Sequence, residues 1–188
     1  MHRSLAALAI LGLSLSACEK AGTATSNQAA IPPASPADPV STAALVDVGP
    51  PLAMAPPVIT GDWTQNGWWR DVSEPPLDGP GFASYAPKGD VGVGTLTWTG
   101  PVPKGVTALA IPIITGPVAT AVKYTVVDGD TGAAIASLAS PPPNIVWKIW
   151  RVSLPAKTAS IRVVANDDGT AWGEWTGIAI PHGIISGH

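Results

Sequence analysis

The sequence predicts an all-β domain built as an antiparallel two-sheet sandwich, with an export signal and a flexible tether ahead of it. Three observations carry that reading. From residue 91 onward, β-branched runs of six to eleven residues recur, each bounded by Gly, Pro, Asn or Asp. Apolar and polar side chains alternate within those runs, so each strand has one core face and one wetter face, as stacked sheets require. Between residues 58 and 188, no stretch of ten residues both lacks Gly or Pro and shows the apolar stripe of a helix.

The chain opens with MHRSLAALAILGLSLSAC, a short basic start at Arg3 and an apolar run from Leu5 to Leu15 that ends in small residues. A membrane-spanning helix needs about 20 apolar residues, so the run is too short to span and has the flanks of a secretory signal over residues 1–17. Leu15-Ser16-Ala17-Cys18 resembles the bacterial lipobox, in which the cysteine is lipidated and becomes the first mature residue. The competing reading is an ordinary signal with an incidental cysteine. Cys18 is the single cysteine, which excludes an internal disulfide, and lipidation accounts for an otherwise free exported thiol. Glu19 at the second mature position resembles lipoproteins sent to the outer membrane, so the resemblance implies anchoring in the cell envelope there.

Residues 18–57 are rich in Pro, Ala, Ser and Thr, with few charges and no sustained period. Such a composition buries no core, so the segment reads as a tether. An edge strand from Ala43 to Val48 is the alternative. Residues 58–188 are enough for one domain with a sizeable core. They carry eight Lys/Arg against ten Asp/Glu, a balance that offers no long-range attraction to nucleic acid.

The expected strands are residues 91–100, 106–116, 119–129, 133–138, 146–155, 159–165 and 173–181. In the fifth, Val146, Trp150, Val152 and Leu154 share one face, opposite Arg151 and Ser153. In the third, Val122, Tyr124 and Val126 oppose Lys123 and Thr125. Asp128 to Gly132, DGDTG, reads as a hairpin turn, and Asp167-Asp168-Gly169 as a turn that closes a hairpin into the last strand.

The order GDVGVGTLTWTGP, IITGP, VVDGDTGAAI, W-x-x-WRVSLP and IRVVANDDGTAWGEWTGIA resembles the galactose-binding-like jelly rolls, and with them the carbohydrate-binding modules. The resemblance covers about residues 81–181. It implies a jelly-roll sandwich, places Asp90 in the family's turn before a T-L-T strand, and raises a structural calcium, since such modules often hold one. A fold by itself does not assign a function.

All eight Trp lie in the domain, against one Phe and two Tyr. Trp98 and Trp150 sit at apolar strand positions and read as core, as does Trp175. Trp63, Trp68 and Trp69 are interleaved with Asp62, Asn66, Arg70 and Asp71, the pattern of an amphipathic loop. An indole beside planar polar side chains suits a sugar ring, whose C–H face stacks while its hydroxyls take paired hydrogen bonds. The candidate ligand-binding residues are Trp68, Trp69, Arg70, Asp90, Asp168, Trp172 and Glu174, with Trp172 expected at the surface. Filling the sandwich is the ordinary alternative for any one Trp.

Catalysis has thinner support. Glycoside hydrolysis uses two carboxyls facing each other across the bond, roughly 5 to 9.5 Å apart, and Asp168 with Glu174 is the pair with a chance to converge. No G-x-S-x-G elbow or reactive cysteine is present, and His182 and His188 fall in the last seven residues. Zinc lacks a His/Cys cluster. Calcium has Asn166, Asp167 and Asp168 as weak candidate ligands beside the plainer turn reading, and no other cofactor is expected. The first functional reading is a lipid-anchored, non-catalytic envelope domain that binds carbohydrate. The alternatives are a structural or assembly lipoprotein that binds a partner protein in an envelope complex, and, third, a glycan hydrolase.

Overall fold

The computed structural model describes residues 47–86 and 88–185. Expectations for residues 1–46, including the signal and Cys18, and for His188 lie outside the described residues. The described strands are β1 (Val48–Pro51), β2 (Val58–Gly61), β3 (Thr64–Gln65), β4 (Gly81–Ala83), β5 (Gly94–Pro101) and β6 (Val106–Thr115), then β7 (Val122–Asp128), β8 (Ala134–Ala139), β9 (Lys148–Ser153), β10 (Ser160–Asp167), β11 (Thr176–Ala179) and β12 (His182–Ile185). The one helical element among them is a 3-10 turn, Gly89–Val91.

The strands make two antiparallel sheets, as expected. In the larger sheet β6 is the spine, with β9 along one edge and β12 and β11 sharing the other; β1 lies outside β12, and β4 then β3 outside β11. The smaller sheet has the order β2-β5-β10-β7-β8. Alternation decides what faces inward. From the smaller sheet come Leu96, Trp98, Val122, Tyr124, Val126, Ile161, Val163 and Ala165, and from the larger Leu109, Ile111, Ile113, Trp150 and Val152. Lys123 and Arg162 point out to solvent.

Aromatic pairs cross the gap. Phe82 meets the Trp98 ring edge-on at 5.7 Å, and Tyr124 lies 6.2 Å from Trp150. Each buried indole removes 150–250 Å² from water, which contributes roughly 4–6 kcal/mol before entropy is counted. Among the described residues the indole N–H groups of Trp63 and Trp150 have no hydrogen-bond partner, so these rings serve the core as volume.

β6 is buried on both faces from Leu109 to Thr115. On its outer side Ile114 packs with Trp68, Trp147 and Trp175, while Ala110 packs with Ile149, Ile184 and Leu77. The segment between β3 and β4 therefore lies over the larger sheet as an extra layer. Trp68 and Trp147 meet edge to face at 5.3 Å, and the Trp147 indole N–H donates to the Ser73 carbonyl at 2.8 Å. That layer corrects the expectation of a surface-exposed Trp68, which is 8% exposed.

Four further expectations change. The folded unit begins before residue 58: β1 pairs with β12 and Leu52 is buried in the core. Its prolines are compatible with an edge position, where a missing N–H breaks no inner ladder. The expected strand 173–181 shortens to Thr176–Ala179, and an unexpected strand, His182–Ile185, follows Pro181: Ile178 faces Ile113 but His182 faces Ala110, so four steps along this segment match three along β6, as across a bulge. Val146 is 59% exposed, since β9 starts only at Lys148. Finally, Asp167 to Trp175 is no hairpin; β10 belongs to the smaller sheet and β11 to the larger, so the segment crosses between them. The DGDTG hairpin does form between β7 and β8, with the Asp128 carboxylate accepting from the backbone N–H groups of Asp130 and Thr131 and from the Thr131 hydroxyl.

β2 and β5 come close where Gly61 pairs with Gly94. Gly94 has φ +144°, and a β-carbon there would lie 2.1 Å from the Thr60 carbonyl oxygen. Gly94→Ala is expected to cost about 2 kcal/mol or more through strain and lost pairing, read as a lower urea midpoint with an unchanged slope.

Candidate functional site

The site is built at the end of the sandwich where β4, β10 and β11 meet their loops. Alternation along β10 makes Asp167 an inward-facing residue, and it is fully buried. Its carboxyl accepts from the Ser84 hydroxyl at 2.5 Å and from the Gly169 backbone N–H at 3.0 Å. Ser84 in turn accepts the Thr176 N–H at 3.0 Å. Beside this pair the Tyr124 hydroxyl meets the Thr176 hydroxyl and donates to the Ile114 carbonyl at 2.9 Å. The Ser84–Asp167, Tyr124–Thr176 and Tyr124–Ile114 contacts each join one sheet to the other.

Burial pushes the Asp167 carboxyl up to about 6, despite the Ser84 and Gly169 donors that oppose the shift. The Glu174 and Asp168 charges add to the rise. Burial likewise pushes the Tyr124 phenol above its usual range, which keeps it a donor.

Directly outside this polar set is an open depression of about 120 Å³ lined by Trp69, Tyr85, Asp90, Pro117, Trp172, Gly173 and Trp175. Two of its walls are chain neighbours of the buried network: Tyr85 follows Ser84, and Trp175 precedes Thr176. The Tyr85 and Trp175 rings meet at 5.7 Å and 62°. Trp69 follows the anchored Trp68 and is 38% exposed. Its carbonyl accepts the Val72 N–H at 2.9 Å, which closes the turn behind it.

Asp90 stands in the 3-10 turn, which is fastened at both ends. Gly89 N–H donates to Tyr85 and Gly92 N–H to Gly89, while the Lys88 ammonium pairs with Asp62 at 3.0 Å. The Asp62 carboxyl, held below its usual range first by Lys88 and then by the backbone N–H of Val93, takes that N–H at 3.2 Å. Trp172 caps the crossover and is 76% exposed. Beneath it Glu174 accepts from the Thr120 hydroxyl and from the Ala171 backbone N–H at 3.2 Å. Those donors, the Thr120 hydroxyl first, hold the Glu174 carboxyl below the usual range. Gly173 has φ +77°, and a β-carbon there would meet the Pro117 ring at 2.7 Å, so the loop seats on Pro117 only with glycine.

The structure thus brings Trp69, Asp90 and Trp172 to one depression. The other candidates lie elsewhere. Trp68 is sealed under the outer layer. Arg70 extends into solvent, 3.6 Å from Asp71. Asp168 accepts the Asn166 side-chain amide at 2.6 Å away from the depression. Glu174 is buried, a positioning residue for the Trp172 loop that accepts from within that loop and from Thr120. As calcium ligands Asn166, Asp167 and Asp168 do not fit: Asp167 points into the core while its neighbours turn outward, and Asn166 spends its oxygen on the Thr95 hydroxyl. No metal-holding group of acids, His or Cys occurs among the described residues.

His182, the first residue of β12, is buried, its two ring nitrogens each 2.8 Å from a carbonyl oxygen, of Gly49 and Asp78. Tyr85 and Pro117 were not foreseen. The only signal for Tyr85 was its place as one of two tyrosines, four residues before Gly89 of the Gly89-Asp90 turn.

No family model matches the chain, and no curated protein matches its sequence. Among solved structures it is similar to TmCBM61 in complex with β-1,4-galactotriose, at 14% identity and TM-score 0.46 over 70% of this chain and 90% of that one. It is also similar to the C-terminal extracellular domain of Mycobacterium tuberculosis EmbC, at 17% and 0.47 over 78% of this chain and 60% of that one. A family 6 carbohydrate-binding module follows at 11% and 0.42, over 72% and 95%.

Asp167 sets a pH dependence of stability. Its folded value, about 6, lies above the ordinary 3.8, so between these limits the folded state holds the extra proton and stability falls as pH rises. Relative to Asp167→Asn, the native chain should gain on the order of 2 kcal/mol on going from pH 7 to pH 4. Urea unfolding of both chains across that range measures it; parallel curves would contradict it.

Proposed function

We propose that the sandwich is a non-catalytic carbohydrate-binding domain, held at the cell envelope by a lipid on Cys18. The observation that carries this reading is the depression itself, where exposed Trp172 and Trp69, with Tyr85, surround the half-buried Asp90 carboxylate. Indole faces stack against the C–H face of a sugar ring, and a carboxylate takes two hydroxyls at once. The depression is framed by loops pinned from below, so little ordering is needed on binding.

Asp90 is the one carboxylate among the lining residues. Hydrolysis by the two-carboxylate route needs a second facing it across the bond, and this favours binding over turnover. A hexose has about twelve non-hydrogen atoms, and at roughly 0.3 kcal/mol per atom the single-site Kd is on the order of millimolar. Useful avidity then comes from a polymeric ligand or from many anchored copies. Lipidation at Cys18 followed by a Pro-rich tether suits that arrangement, with the outer membrane as the surface.

The chain should be retarded in gels that contain envelope or matrix polysaccharides, and Trp172→Ala should weaken retardation at least tenfold without lowering the melting temperature. Retardation by none of the polysaccharides, or by all of them equally in Trp172→Ala, would overturn the reading. Separately, Cys18→Ser should abolish incorporation of labelled palmitate and release the protein from the membrane fraction.

A further inference from the structure

We infer, resting on the sugar-binding reading above, that the depression selects sugars bearing a protonated amine over neutral sugars and uronates. The lining supplies one formal charge, Asp90, and no cation. The two cations nearest in sequence are engaged elsewhere: Lys88 pairs with Asp62 at 3.0 Å, and Arg70 lies beside Asp71 with its side chain 87% exposed.

Asp90 also differs from the other acids around the site. Asp62, Asp167, Asp168 and Glu174 each accept a hydrogen bond from the protein. Asp90 has no such partner among the described residues, although it is half-buried. It lines a recess whose remaining walls are Trp69, Tyr85, Trp172, Trp175, Pro117 and Gly173.

Both kinds of wall favour positive charge. Aromatic faces carry negative quadrupole density that attracts an ammonium within about 6 Å of the ring centre. A carboxylate partly removed from water gains from an opposite charge and is opposed by a like one. A neutral hexose stacks and hydrogen-bonds but draws on neither electrostatic contribution. A uronate places its charge against Asp90. The ligand that uses every lining group is a stacked ring with an amine, such as the glucosamine units of a deacetylated glycan.

An exposed carboxylate–ammonium pair with an aromatic contact corresponds to about a five- to twentyfold preference. The test titrates the full chain at pH 6 with four trimers: glucosamine, N-acetylglucosamine, glucose and galacturonate. The glucosamine trimer should bind about five- to twentyfold more tightly than the glucose trimer, and the ratio should shrink toward one in 1 M salt. Asp90→Asn should lower it severalfold at low salt, leaving the smaller preference of the aromatic walls.

Equal binding of the glucosamine and glucose trimers, tightest binding of galacturonate, or a preference untouched by both salt and Asp90→Asn would overturn the inference while leaving the sugar-binding reading intact. Binding of none of the four, together with none of the polysaccharides above, would overturn both.

Discussion

The contact on which the rest of this structure depends is the buried hydrogen-bonded set between Ser84, Asp167, Tyr124 and Thr176. A sandwich core of aliphatic and indole groups holds two sheets together without directional preference. These four side chains are directional. They tie the last residue of β10 and Tyr124, near the start of β7, in one sheet to the ends of β4 and β11 in the other, and they do so without bulk water. A buried carboxyl without donors would cost several kcal/mol; here a hydroxyl and a backbone N–H satisfy it, and the burial that remains favours its protonated form.

The outer depression inherits its geometry from that set through the chain itself. Tyr85 and Trp175 are covalently next to Ser84 and Thr176, so fixing the inner pair fixes the outer ring pair at 5.7 Å. The two loop walls have their own fasteners. Glu174 ties the Trp172 loop to Thr120, and Lys88 ties the Asp90 turn to Asp62. In this way acids with opposite perturbations, Asp167 raised and Glu174 lowered, both act on the site without touching its surface.

Strands β5 to β11, the DGDTG hairpin, the core placement of Trp98, Trp150 and Trp175 and the exposure of Trp172 were legible in the sequence, whereas β1 to β4 and β12 were not. Each legible feature is a local matter. Alternation of period two assigns facing within a strand, and turn residues act through their own backbone preferences. The reading of Asp167 as a turn acid failed because β10 continues two residues beyond the expected end at Ala165, and the pleat then turns the carboxylate inward. Trp68 and Trp69 are adjacent and chemically identical, yet one is sealed and the other exposed. Nothing in their flanking residues separates them, since the outer face of β6 is what buries Trp68.

The sequence by itself therefore determined the class of fold, the direction of most strand faces, the near-neutral charge and the expectation of a lipidated N-terminus. Only the tertiary structure decided that Asp167 to Trp175 crosses between sheets instead of closing a hairpin. It also decided that Trp69, Tyr85, Asp90 and Trp172 meet while Arg70, Asp168 and Glu174 do not. The reason is range: facing and turns are encoded in neighbouring residues, whereas which loop comes to lie beside which depends on sheet order. Sheet order is set by pairings between residues tens of positions apart, such as Asp167 with Gly94 and Gly177 with Ala83.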